Sequence, residues 1–92
     1  MKINGYIMHE IELELKNIIR KLLIKHNHSR KWLANATGID YERVKRLLND
    51  RSNQRLSIVD AELMLNALGT DLRRVLISPL LKKLRDQIDE YE

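Results

Sequence analysis

The chain contains no cysteine and no phenylalanine. Without cysteine it can form neither disulfides nor thiolate metal sites, and a reducing cytoplasm is the expected location. One proline and three glycines occur in 92 residues. A fold of short strands and tight turns uses more of both, so an all-α fold is expected. Aromatic residues make up 4% of the chain, which leaves the core to aliphatic side chains. No apolar run approaches the roughly 18 residues of a membrane span, so no membrane association is expected. The N-terminal residues lack the apolar core of a signal peptide. No Ser/His/Asp nucleophile set, phosphate-binding glycine loop or paired acids in a pocket is evident, so neither an enzymatic role nor a cofactor is expected. His26 and His28, two positions apart, do not share a helical face and have no suitably spaced further ligands, so no metal site is expected either.

The chain does have charge, and it is segregated. The net charge is +4. Residues 16–55 hold eleven Lys or Arg against three Asp or Glu, a net +8, whereas the remainder carries −4. From Lys16 to Lys31 there are six basic residues and no acid. A merely solvated surface mixes signs; this separation favours a polyanionic partner.

Apolar periodicity divides the chain into short helices. Residues 1–8 read as an arm broken by Gly5. From about His9 to His26, Ile11, Leu15, Ile18, Ile19, Leu22 and Leu23 form a stripe at helical spacing. Glu10, Glu12 and Glu14 near its start and Lys21 and Lys25 near its end suit the helix dipole. Asn27 can end this helix, and Ser29 can cap the next.

Residues 29–49, from Ser29 through Asn49, carry the most information. A short helix turns Leu33, Ala34 and Thr37 inward. Gly38 supplies the positive φ that a tight turn needs. Ile39 points back to the core, and Asp40 can cap a second helix that buries Val44, Leu47 and Leu48. Ala34 is small where the two helices must cross. Tyr41, Glu42, Arg43, Lys45 and Arg46 face outward, long and mostly basic. The pattern reads as a helix-turn-helix whose second helix suits the major groove of DNA. A purely structural αα-hairpin is the alternative.

Asp50 to Leu56 form a polar loop. Ser57 then opens a fourth helix, with Asp60 at the third position as a weaker capping box. Its buried face is expected to be Ile58, Ala61, Met64, Leu65 and Leu68, with Gly69 ending it. Asp71 can cap a short fifth helix holding Leu72, Val75 and Leu76. Pro79 opens a last amphipathic helix. The domain division is thus an arm at 1–8, a DNA-binding domain at 9–77 and a C-terminal helix at 78–92.

This order of five short helices resembles the Cro/C1-type (Xre-like) helix-turn-helix family of phage and bacterial repressors, over about residues 14–77. The matching segments are Ser-Arg-Lys-Trp-Leu-Ala at 29–34, Thr-Gly-Ile at 37–39, Val44, and Leu-Asn-Ala-Leu-Gly-Thr-Asp-Leu at 65–72. The resemblance implies a lambda-repressor-like fold and double-stranded DNA as partner. Arg30 departs from the Gln or small residue that often opens the family's second helix. Tyr41, Glu42 and Arg43 replace the small polar residues that often open the third. The docking mode carries over; the base preferences do not. By position, Tyr41, Glu42, Arg43 and Arg46 are the expected base readers. Arg binds guanine bidentately, and Glu accepts from cytosine. The alternative for Glu42 and Arg46 is a mutual i,i+4 pair. Arg30, Lys31, Lys45, Arg51, Asn53 and Arg55 are expected at phosphates, where they add affinity without sequence choice. Trp32 is expected to cover the core edge with its ring, the alternative being a contact with DNA or a partner.

The expected function is a sequence-specific transcriptional regulator, a dimeric repressor or autoregulator on a palindromic operator. Leu80, Leu81, Leu84, Ile88 and Tyr91 recur at helical spacing and are the candidate homodimer surface; the alternative is that they fold back on their own domain. A second reading is an antitoxin-like protein that binds a partner protein and represses its own operon. RNA binding is a third, with few aromatics available to stack on single strands.

Overall fold

The computed structural model describes residues 2–51 and 54–77, with side chains from Glu10 onward. Every regular element among them is helical. Four helices run in order: α1 (Lys2–Lys25), α2 (Arg30–Thr37), α3 (Tyr41–Leu47) and α4 (Ile58–Ala67). Residues 72–77 form a fifth helical segment.

Helix α1 begins at Lys2, so residues 2–8 of the expected arm are instead helical. Gly5 does not break it. A glycine costs a helix about 1 kcal/mol through lost entropy, but unlike proline it keeps its N–H and its hydrogen bond. The end of α1 agrees with the sequence: Asn27 adopts φ 56°, and His28 N–H reaches back to Leu23 O at 2.8 Å.

The short helices are bounded by their caps. Ser29 Oγ accepts from Trp32 N–H at 2.9 Å and starts α2. Gly38, at φ 78°, ends it, with its N–H on Ala34 O. Thr37 Oγ1 donates to Leu33 O at 2.8 Å and accepts from Ile39 N–H at 3.2 Å, so one hydroxyl ties both sides of the turn. Asp40 occupies the cap of α3, but its side chain makes no capping bond, contrary to expectation. Thr37 orders the turn ahead of that cap, from its α2 side, through Ile39 N–H. Ser57 Oγ accepts from Asp60 N–H and starts α4. Segment 72–77 is capped twice: Asp71 Oδ1 accepts from Arg74 N–H, and Glu62 Oε2 from Leu72 N–H, both at 2.8 Å.

Helix α2 packs on α3 and α4, and α1 packs on α4. One core collects Leu15, Ile19 and Leu23 from α1, Leu33 and Ala34 from α2, Ile39 from the turn, and Val44, Leu47 and Leu48 from the α3 region. Leu56, Ala61, Met64, Leu65 and Leu68 complete it. Each large aliphatic side chain buried here contributes roughly 1.5–3 kcal/mol. Ile58 is an exception to the expected α4 face: it is 60% exposed. It stands at the first turn, beside an apolar groove of about 350 Å³ between α1, the 54–57 loop and segment 72–77. Ile11, Leu15, Leu56, Leu72 and Leu76 line that groove with it.

Candidate functional site

The site is the outward surface of α2 and α3 with the loop that follows. Its position depends on α1. Glu12, Lys16 and Arg20 stand four residues apart, so they form a row along one side of that helix. All three grip residues of 48–50 and 54–56. Glu12 Oε1 accepts from Leu56 N–H at 2.7 Å, and its other oxygen meets Arg55 Nε at 3.4 Å. Lys16, 3% exposed, points Nζ at Asn49 O and Gln54 O, both at 3.4 Å. Arg20 donates to Leu48 O at 2.6 Å and holds both Asp50 oxygens at 3.1 Å. The row fastens the loop after α3 and so fixes where that helix ends. Residue composition alone did not point to it. The available signal was three long polar side chains at i, i+4, i+8 bordering an apolar stripe.

Arg20 also acts on its partner's titration. Its hydrogen bonds hold the Asp50 carboxyl below the ordinary carboxylate value, against partial loss of water and with help from the Arg20 and Lys16 charges.

The expected base readers fall into different environments. Tyr41, Glu42 and Arg46 are exposed on α3. Glu42 pairs with Lys45 at 2.9 Å, an i,i+3 contact, rather than with Arg46 as the alternative had it. Lys45 also lies 4.7 Å from the centre of the Tyr41 ring. The bond from Glu42 raises Lys45 above the ordinary lysine value, with partial burial and the charge of Arg30 opposing. Arg30, at the start of α2, thus acts by its charge on a residue of α3. Arg43 is tied elsewhere: its Nη2 donates to Asp60 Oδ2 on α4 at 2.6 Å. Sequence reading placed Asp60 only as a cap residue and missed this pairing.

The expected phosphate contacts divide similarly. Arg30, Lys31 and Arg51 are exposed and make no ion pair among the described residues. Lys45 and Arg55 are exposed or half-buried but internally paired, with Glu42 and Glu12. Asn53 lies outside the described residues, as do Leu80, Leu81, Leu84, Ile88 and Tyr91. Trp32 packs against the core, as expected of a ring at its edge, and stacks on His28 with centroids 3.6 Å apart and planes 3° from parallel. His26 lies beyond His28 at 6.4 Å.

Among the described residues no helix is long and apolar enough to cross a membrane. Comparison with protein families, with characterised proteins and with solved structures gave no match for this chain.

Proposed function

We propose that the chain is a sequence-specific DNA-binding transcriptional regulator, with α2 and α3 as a helix-turn-helix of the lambda-repressor-like, Cro/C1-type kind. The observation that carries this reading is the α2–α3 unit itself. It is closed by a left-handed Gly38 and presents exposed Tyr41, Glu42 and Arg46 on the second helix. Arg30 and Lys31 stand at the start of the first, near enough for Arg30 to act on Lys45. In this reading α3 enters the major groove, Arg46 reaches base edges, and Arg30, Lys31 and Arg51 meet phosphates on either side.

A helix of seven residues reaches few base pairs. Two copies about a two-fold axis read a palindrome with half-sites about one helical turn apart, and sequence choice then rises with the square of each half's. The regulator is therefore proposed to act as a homodimer. On the described surface Ile58, Val59 and Leu63 leave one side of α4 apolar and exposed, which is the composition a second copy covers.

The test is selection of bound duplexes from a random pool, followed by footprinting on the enriched sequence. Enrichment of a palindrome is expected. A protein that retains no duplex above background overturns the reading, and one that enriches a single half-site overturns the dimer.

A further inference from the structure

Asp60 sits in the first turn of α4 with its side chain 9% exposed. A carboxylate so far from water is costly unless a cation and hydrogen bonds answer it. The answer comes from another helix: Arg43 of α3, seventeen positions earlier in the chain, donates from Nη2 at 2.6 Å. The pair spans two elements and joins the outward helix to the body of the domain.

The arginine is not used up by this bond. A guanidinium carries five N–H donors in a rigid plane. Asp60 takes one hydrogen of Nη2, and the side chain remains 44% exposed. Whichever Nη2 hydrogen is taken, the plane keeps an edge with two free donors. Two donors on one edge are what guanine O6 and N7 require. Arg46 differs: it is exposed and makes no ion pair among the described residues, so its guanidinium is not oriented in advance.

We propose that Asp60 is a specificity-determining positioning residue: by holding Nη2 of Arg43 it aims the remaining edge of that guanidinium at a guanine in the major groove. The proposal rests on the DNA-binding reading. Asp60 itself touches no base. It removes the rotameric freedom that an arginine otherwise loses on binding, and it fixes the plane so that wrong bases meet misplaced donors. The base pair under Arg43 is therefore specified more sharply than the one under Arg46.

Competition between the selected duplex and a scrambled one, at fixed salt, measures the preference. Arg43→Ala lowers it by about 10- to 100-fold, the range for one bidentate contact. Asp60→Asn, which keeps shape and removes charge, lowers it by about 10-fold while scrambled binding stays within about 2-fold. In the Arg43→Ala background Asp60→Asn changes nothing further. Arg43→Lys behaves like Arg43→Ala, because an ammonium pairs with Asp60 but lacks the fork. Thermal melts report whether each variant is folded. Should Asp60→Asn unfold, Asp60→Glu takes its place: displacing the carboxylate by one methylene lowers the preference in a folded protein. The proposal is overturned if the folded Asp60 variants keep the wild-type preference, or if the Asp60 and Arg43 effects multiply independently. A wild type that selects no sequence overturns the DNA-binding reading instead, a result distinct from selective wild type with unchanged variants.

Discussion

Replacing Gly38 by alanine isolates the backbone of the α2–α3 turn. Gly38 has φ 78° and ψ 5°, in the left-handed region. An L-residue there pays roughly 1–2 kcal/mol, because its Cβ crowds the following carbonyl. No other atom adds to that cost, since a Cβ at Gly38 meets nothing within 4 Å. Alanine also restricts the unfolded chain, an effect of about 0.4–1 kcal/mol that offsets part of this strain. The difference is a net loss of about 1 kcal/mol, or a fall in Tm of roughly 4–8 °C for a domain of this size. Gly38→Asn should lose less, because asparagine tolerates this region. Gly69 supplies an internal reference, with φ 84° and the same open surroundings. Gly69→Ala should therefore cost a similar amount. Urea melts followed by circular dichroism measure all three with unchanged m-values. A neutral Gly38→Ala means that the left-handed turn is not present in solution. A loss above about 3 kcal/mol means that a contact absent from this geometry is being broken, since strain alone does not reach that size.

Affinity for duplex DNA should fall with salt by about 0.9 log units per log unit for each phosphate met; Arg30, Lys31 and Arg51 give roughly 2.7 per chain and twice that for a dimer. A filter-binding slope near that of one contact refutes the proposed phosphate set. Glu12→Leu should cost about 1–3 kcal/mol, because it strands the Leu56 N–H beside a buried side chain, and Glu12→Gln should recover part of it; equal melts for both variants refute the role given to this bond. The depressed Asp50 pKa makes a stabilising contribution that is present above the ordinary carboxylate value of 3.8 and lost as pH falls through its folded value. The Tm gap between wild type and Asp50→Asn should accordingly be constant from about pH 5 to 8 and close in acid, and a gap that widens in acid contradicts the Arg20–Asp50 clamp. Val59→Asp with Leu63→Asp should give a folded monomer in sedimentation if α4 forms the dimer surface; if only Leu84→Asp with Ile88→Asp does so, the C-terminal positions form it.

The helices themselves were legible because they depend on local chemistry. Ser29, Asn27, Gly38, Ser57 and Asp71 act within four residues of where they stand, so their capping and turn roles follow from the sequence, and the structure has them there. The apolar stripes of α1 and α3 likewise dictate which side is buried, since helical spacing alone puts Leu15, Ile19 and Leu23 on one face and Val44, Leu47 and Leu48 on another. Gly5 and Asp40 read less well. Gly5 costs its helix only about 1 kcal/mol, and the hydrogen bonds it keeps outweigh that; Asp40 stands at the cap position of α3 without the side-chain bond. What remained for the tertiary structure was the choice of partner among charged side chains. Glu12, Lys16 and Arg20 look like ordinary solvated positions until Leu48, Asn49 and Leu56 are brought against them. Arg43 and Arg46 are indistinguishable by residue type and both face outward. Only the packing of α4 against the rest brings Asp60 to one of them, because a salt bridge is decided by distances of a few ångströms between segments whose separation in sequence says nothing about their separation in space.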